Sequence, residues 1–468
     1  MSLKIYNSLI RKKEDFIPNE EGKVKLYTCG PTVYNYAHIG NYRSYIFEDI
    51  LEKTLKYLGY NVTRAMNITD VGHLSGDSDD GKDKMIEEAK RENKKVLEIA
   101  KFYTEAFKEG FKELNLKWPE IVVPATSCID TYIEMITKLI EDGYAYLSGG
   151  NVYFDTSKLD NYYVFSNQSS VDMIVGAREN VSLDLGKRNP NDFALWFTKS
   201  KFENHALKWD SPWGIGYPGW HIECSGISYK YLGEYLDIHC GGIDNKFPHH
   251  TNEIAQSESF FGHKWCNYWF HVEHLNLKDG KMSKSKGTFI TINDLIKQDY
   301  SPLVYKFFVL GSHYRKELIF SYEGLDGAKN SYDKIINKIK CLKDEGILDD
   351  ENINIYRDRF KEALSNDLNT SSALTVLFDV LKSNLNDNTK KYLIEDFDKV
   401  LSLGLSNINI NKELDDTTKN LILDKIEERN KAKLNKDYTK ADEIRSELLK
   451  MNIELIDTRE GTKYKITK

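Results

Sequence analysis

The residues of this chain best able to do chemistry together lie in three places. Cys29 and His38 flank a Gly30-Pro31 turn in "KLYTCGPTVYNYAHIGN". Cys224 sits in "WDSPWGIGYPGWHIECSG", and His249, His250 and Glu253 follow in "FPHHTNE". Lys281 and Lys284 stand three apart in "KMSKSKG". Thiols, imidazole and carboxylate are zinc donors, and residues i and i+4, such as His249 and Glu253, share one helix face. Cys29, Cys224, His249 and Glu253 are thus one possible ligand set. Cys240, His239 and His250 compete with them, because ligands this dispersed meet only through the fold. Two lysines on a short Ser/Gly loop can follow moving phosphoryl oxygens as point charges.

Particular elements must position these groups. Val24 to Cys29 reads as a buried strand closed by Gly-Pro. From Asn41 onward Ile46, Phe47, Ile50, Leu51, Leu55 and Leu58 recur at helical spacing, and Gly59 stands where a cap belongs. Asn61 to Ile68 is a second strand, which makes a βαβ unit and predicts a parallel sheet. Ligands bind beyond the carboxyl ends of such strands, where Cys29 and His38 fall. On this segment alone, a buried structural cysteine and a surface histidine are the simpler account. Residues 71–84 read as a Gly/Asp/Ser-rich loop, Met85 to about Leu116 and Tyr132 to Glu141 as helices, and "GYAYLSGGNVYFD" as a hairpin. A strand from Trp269 to Leu277 leads through Asp279-Gly280 into "KMSKSKG". Beyond about residue 325 the pattern turns to long Lys/Asp/Asn/Leu helices, and the tail ends in a short hairpin.

The expected architecture is α/β. A Rossmann-like parallel-sheet domain in two halves (1–119 and 213–325) is split by a connective insertion (120–212). A helical bundle (326–415) and a small mixed α/β module (416–468) follow. The 468 residues suit several domains, and 40% apolar with 29% charged residues is a folded composition. The start, Met1-Ser2-Leu3-Lys4, has no apolar core behind it, so no signal peptide is expected. No run of about 18 apolar residues exists, which excludes a helical membrane span. Six scattered cysteines suggest a reducing, cytoplasmic setting and metal or nucleophile roles rather than a disulfide scaffold. The net charge of -7 argues against unspecific coating of nucleic acid but leaves local basic patches open.

His38-Ile39-Gly40 on a strand-to-helix turn, together with KMSKS, resembles the HIGH and KMSKS signatures of class I aminoacyl-tRNA synthetases. The fourth letter departs: Asn41 can donate a hydrogen bond but cannot become cationic. Gly40 would let adenine lie against the backbone, and His38 with the helix N-terminus would favour charge developing on the α-phosphate. Within that class the chain resembles the cysteinyl-tRNA synthetases nearly end to end. The matching strings include "CGPTVYNYAHIGN", "NITD", "NDFALW", "PGWHIECSG", "DIHCGGIDNKFPHHTNEIAQSES", "KMSKSKG", "NDLNTSSAL" and "AKLNKDYTKADEIRSELL".

That resemblance implies zinc on Cys29, Cys224, His249 and Glu253, and cysteine beside Thr69, Trp220 and His239. It implies ATP at His38, Gly40, Asn41, Gly242 and Asp244, with Lys281 and Lys284 on its phosphates and Mg²⁺ accompanying it. The implied catalytic groups are His38, Asn41, Lys281 and Lys284. The implied partners are ATP, L-cysteine and tRNA(Cys), for a monomer whose helical bundle binds the anticodon. Lys431, Lys433, Lys436 and Lys440 could meet RNA phosphates. One stretch departs from the commoner form: "VGHLSGDSDDGK", 71–82, precedes Asp83-Lys84. Zinc suits the substrate because shape alone separates such close analogues only about 10- to 200-fold. Sulfur ligates zinc as thiolate, whereas an alcohol holds its proton. No separate editing domain is therefore expected. The rival readings are another ATP-dependent cysteine ligase, or a catalytically silent zinc- and RNA-binding relative.

Overall fold

The computed structural model describes residues 2–71, 95–165, 186–199, 207–278, 280, 289–408, 416–435, 437–450, 453–458 and 461–466. Five parallel strands form the central sheet: β1 (Lys23–Thr28), β2 (Asn61–Ile68), β3 (Ile121–Pro124), β4 (Leu236–Gly242) and β5 (Cys266–Val272), in the order β5-β4-β1-β2-β3. The direction of winding reverses between β1 and β4, which opens a crevice beyond their carboxyl ends. Helix α1 (Ile39–Tyr57) makes the first crossover and buries Ile46, Phe47, Ile50 and Leu51 completely. It starts two residues earlier than the apolar periodicity predicts. α2 (Trp220–Leu232) and α3 (His249–Phe261) share a buried core with the sheet residues Tyr27 and Ala65, through Cys224, Ile227 and Ile254.

Successive strand residues face opposite ways. Arg64 on β2 points towards α1, where it meets Glu48 at 3.1 Å and Glu52 at 3.6 Å with all three side chains buried. Its neighbour Ala65 turns instead into the core shared with α2.

Residues 121–124 pair with β2, so the connective stretch begins after Pro124 rather than at 120. It contains helix Ile129–Glu141 and the strands Ala145–Ser148, Asn151–Phe154 and Phe193–Phe197 of a four-stranded antiparallel sheet, whose fourth strand, Tyr217–Pro218, lies past the expected end at 212. Gly149 and Gly150, both at positive φ, turn the hairpin. The single strand expected over 269–277 is two. β5 ends at Val272, and Leu275–Leu277 pairs separately with Leu318–Phe320. Arg43 explains the break. Its buried guanidinium donates to the carbonyls of Glu273 (2.8 Å) and His274, and to those of His313 (3.3 Å) and Lys316 (2.5 Å). Residues 273 and 274 thus turn their carbonyls to Arg43 where β5 stops, and the His274 carbonyl also takes the Leu318 amide (3.0 Å) that opens the separate pairing.

Helices Tyr322–Lys340, Asp350–Ser365, Thr370–Lys382 and Asp387–Leu401 belong to the same compact unit, Met1–Ser406. "NDLNTSSAL" serves as its joint. Buried Asp367 accepts from the Tyr6 amide (2.8 Å), the Tyr314 hydroxyl (2.5 Å) and Arg315 Nε (2.8 Å). The second unit, Asn407–Lys468, holds helices Asp416–Leu434 and Tyr438–Lys450 and the antiparallel hairpin Ile453–Thr458/Gly461–Ile466. Its core is Ile422, Ile426, Ile444, Leu448, Ile453 and Leu455. Lys431 pairs with Glu427 at 2.7 Å and Lys440 with Glu428 at 3.0 Å, while Lys436 lies outside the described residues.

Candidate metal and nucleotide site

Cys29 follows β1 directly, on the face shared by Tyr27. Its amide donates to the Cys240 carbonyl (3.1 Å), and the next amide, Gly30, donates to Asn67 Oδ1 (2.7 Å). A Cβ on Gly30 would lie 1.6 Å from the Asn67 carbonyl oxygen, so only glycine lets the end of β1 press against β2 this closely. α2 contributes Cys224 and α3 contributes His249 and Glu253, one turn apart.

The four groups converge. Cys29 Sγ lies 3.9 Å from Cys224 Sγ and 4.0 Å from Glu253 Oε1. His249 Nε2 lies 3.6 Å from Cys224 Sγ and 3.0 Å from Glu253 Oε1. Tetrahedral zinc with bonds of about 2.3 Å to sulfur sets its sulfurs about 3.8 Å apart. The observed spacing fits that ion. A second overlapping set is Cys29, His239, His250 and Glu253, with His250 Nε2 3.3 Å from Cys29 Sγ. Cys240 belongs to neither set among the described residues. It neighbours His239 on β4, so its thiol faces α1 while His239 faces α3.

Supporting groups orient the donors. His239 Nε2 donates to Glu253 Oε2 (2.7 Å), His221 and His249 share a proton between their Nδ1 atoms (2.8 Å), and His250 Nδ1 meets His271 Nε2 (2.7 Å). Burial works against the Glu253 carboxylate, yet His239 and His249 outweigh it and hold the group down to about 2. Burial likewise opposes charge on His249, but Glu253 and Cys224 push it up to about 10. Burial also opposes the Cys224 thiolate, and hydrogen bonds with Cys29 and His249 overcome it, bringing the thiol down to about 7. Burial, then Cys224 itself, pushes Cys29 well up. Glu253 and Cys224 are thus inclined to be anionic, whereas Cys29 and His249 hold protons that a divalent cation would displace on binding.

This cluster forms one end of a cavity of about 840 Å³. Trp220 lines that end, its ring 4.5 Å from His249. Thr69 and His239 lie behind the wall. Thr69 Oγ1 links Asn67 (2.9 Å) to Glu223 (2.9 Å), and His239 stacks on Trp269 at 4.7 Å. His38, Gly40, Asn41, Gly242 and Asp244 line the other end. His38 caps α1: its Nδ1 accepts from the Asn41 amide (3.2 Å), and the Asn41 side chain accepts from the His38 amide (3.1 Å). The reciprocal box gives Asn41 a helix-starting role that needs no charge. Burial lowers the His38 imidazole to about 4, so it is neutral near pH 7. With Nδ1 accepting, the ring proton sits on Nε2.

Lys281 and Lys284 lie outside the described residues. The chain on either side of them is placed: Leu277 exchanges both backbone hydrogen bonds with Gly280, and the Ile39 amide donates to the Ile290 carbonyl (2.9 Å). Phe289 meets His38 edge to face at 5.2 Å. Residues 289 and 290 thus stand against the start of α1.

Residues 15–330 match the family model for the tRNA synthetases class I (C) catalytic domain, and residues 359–403 match the DALR domain. A cysteine-tRNA ligase of Treponema denticola is 47% identical, with 99% of this chain and 100% of the relative aligned. The chain belongs to the cysteine-tRNA ligase family. The cysteine-tRNA ligase of Clostridioides difficile is 41% identical over 99% of this chain and 100% of that one. A methionyl-tRNA synthetase of Mycobacterium tuberculosis, bound by methionyl-adenylate, shares the fold: TM-score 0.55 at 12% identity, covering 82% of this chain and 93% of that one.

Several groups in this cysteine-tRNA ligase family member escape sequence reasoning: Gly30, Asn67, His221, His271 and Arg43. The "NITD" string contains Asn67 and "PGWHIECSG" contains His221, so both lie in matching segments. Their roles as supports for the cluster follow only from distances. Glu48 is a further case. It lines the cavity although fully buried, and burial outweighs Arg64 to push it up to about 7.

Proposed function

We propose that the chain activates cysteine with ATP and transfers it to the 3′ end of tRNA(Cys), with Cys29, Cys224, His249 and Glu253 holding one zinc ion that selects the thiol. The observation that carries this reading is a single cavity whose two ends are the Cys/His/Glu cluster and the capped N-terminus of α1. Zinc, when bound, supplies a Lewis acid that favours a thiolate over an alcohol.

The protein's own groups do the rest. Trp220 and His221 fix the His249 ring, and His239 fixes Glu253. Thr69 acts through Asn67, which holds the Cys29 turn. The cysteine carboxylate attacks the α-phosphate of Mg²⁺-bound ATP in line. The new carboxylate O–P bond forms as the bridging P–O bond breaks, and pyrophosphate leaves. Neutral His38 donates from Nε2 to the α-phosphate oxygens, and the positive end of the α1 dipole adds to that field. Asn41 holds this cap, Gly40, Gly242 and Asp244 shape the nucleotide end, and Lys281 and Lys284 neutralise the departing phosphates. The terminal ribose hydroxyl of the tRNA then attacks the adenylate carbonyl and AMP leaves. The helices after 325 bind the anticodon arm, and the protein works as a cytoplasmic monomer.

Cysteine-dependent exchange of pyrophosphate into ATP, with and without tRNA(Cys), followed by charging of that tRNA, tests the reading. Exchange with cysteine plus charging supports it. Exchange without charging would mark another ATP-dependent cysteine ligase, and no exchange would mark a silent relative. For the zinc role, Cys29→Ser should lose metal and discrimination against serine together. Discrimination that survives metal loss would overturn that part.

A further inference from the structure

We infer that Tyr27 is a positioning residue for the metal cluster, its hydroxyl donating to the Cys224 sulfur once that sulfur ligates the ion as thiolate. This rests on the proposed zinc site and adds to it a group outside the four ligands. Tyr27 lies inside β1, paired with His239 of β4 on one side and Ala65 of β2 on the other. It is fully buried, and its ring packs 5.1 Å from that of His239. Cys29, two residues further on, shares its face of the sheet.

Asn67 Oδ1 is oversubscribed. The Gly30 amide donates to it at 2.7 Å, the Tyr27 hydroxyl reaches it at 3.3 Å and the Cys224 thiol at 3.7 Å. An amide oxygen has two lone pairs. The short Gly30 bond takes one, and Tyr27 and Cys224 converge on the other from a distance. Asn67 is held in this pose by its own Nδ2, which donates to Thr69 at 2.9 Å. Ligation changes the count. Among the described residues, Cys29, His249 and Asn67 stand within hydrogen-bond distance of Cys224 Sγ. Binding a metal takes the proton from each ligand, so Cys29 and His249 Nε2 then have none to give, and neither has Cys224. A thiolate would face a carbonyl oxygen 3.7 Å away, acceptor against acceptor. The Tyr27 hydroxyl supplies the missing proton. Burial acts most on that hydroxyl, and Cys224 follows, both as a charge and as a hydrogen-bond partner. A hydrogen bond to an ionised acceptor is roughly twice as strong as a neutral one. It also draws electron density off the sulfur, which leaves the bound ion more attractive to an incoming thiol.

The test uses the full-length protein with Tyr27→Phe, and with 3-fluorotyrosine in place of Tyr27, a stronger acid that keeps the ring and the hydroxyl. Zinc affinity is read by competition with a chromogenic chelator, and the sulfur-to-metal charge-transfer band is read on the cobalt-loaded protein. Tyr27→Phe should bind zinc roughly 10- to 100-fold more weakly and move the cobalt band to longer wavelength. The fluorinated protein should move the band to shorter wavelength, which decides the matter even where the phenylalanine variant folds poorly. In pyrophosphate exchange, Tyr27→Phe should raise KM for cysteine and leave KM for ATP within about twofold. Wild-type zinc affinity and an unmoved band in both altered proteins would overturn the inference. So would a Tyr27→Phe protein that loses the same urea stability with and without zinc while its band stays in place, because the hydroxyl would then serve the fold alone. Wild-type protein without a sulfur-to-metal band would sink the proposed zinc site and this inference with it. A wild-type band indifferent to position 27 would sink the inference alone.

Discussion

Gly30→Ala offers the sharpest test of how the backbone sets the metal cluster. The added methyl would sit 1.6 Å from the Asn67 carbonyl oxygen, and real Cβ contacts stay beyond 3.0 Å, so β1 and β2 must part by about 1.4 Å at this point. Zinc ligands tolerate departures of only about 0.2 Å. The strain falls one residue from Cys29, whose sulfur lies 3.9 Å from Cys224 and 4.0 Å from Glu253. Overpacking of this kind costs about 1–3 kcal/mol or more, and loss of the Gly30 amide bond to Asn67 adds to it. Gly327→Ala is the control: nothing lies within 4 Å of its added methyl in helix Tyr322–Lys340, so it should stabilise by about 0.5–1 kcal/mol. The assays are urea unfolding, zinc content by mass spectrometry of the native protein, and the ratio of cysteine to serine activation. Gly30→Ala should be less stable than wild type, bind less than one zinc per chain and discriminate poorly. A Gly30→Ala protein with full zinc and unchanged selectivity would refute the view that this contact positions Cys29.

Three further outcomes are expected. Arg43→Met removes the charged donor from four backbone carbonyls, of which those of His274 and His313 keep an amide donor (Leu318 and Lys316), and should cost about 2–5 kcal/mol in urea unfolding; a loss under 1 kcal/mol would mean solvent replaces the guanidinium. In ¹⁵N NMR, His38 should titrate near pH 4 as the Nε2–H tautomer, and a midpoint near 6.5 would contradict its burial. Glu48 is raised from its usual value to about 7, so the folded state binds its proton more tightly than the unfolded chain does. Its contribution, about 3 kcal/mol, is full below about pH 4.5 and is lost as pH rises through 7. Glu48→Gln should flatten the stability profile across that window, and an unchanged profile would reject the assignment.

The βαβ frame was legible because its signals are local. The apolar run before Cys29, the 3.6-residue spacing over 46–58 and the alternation of 61–68 each report a neighbourhood of a few residues. The broken strand at 273–274 was not legible, because its cause is Arg43, far away in sequence and tied to four carbonyls at once. Trp220, Cys29, Cys224 and His249 line the cavity with Glu253 buried behind them, but residue types alone could not separate the four expected ligands from His239, His250 and Cys240. Strand alternation removes Cys240, and distance leaves His239 and His250 as close neighbours. Thr69 and His239 are buried too deeply for a sequence pattern to place them in front of or behind a wall. Asn41 departs from the commoner letter, and its capping bond to His38 supplies a reason that composition does not contain.

The alternation within β4 bears on how this chain could have changed length over time. His239 and Cys240 point to opposite sides of the sheet, so deleting one residue between Leu236 and Ile238 would swap them, presenting a thiol to Glu253 and burying an imidazole beside Glu48 and Arg64. Growth at the carboxyl end of a strand reverses nothing. Lineages descended from such an ancestor should accumulate insertions and deletions around the mouth of the chamber and almost none in the strands beneath it.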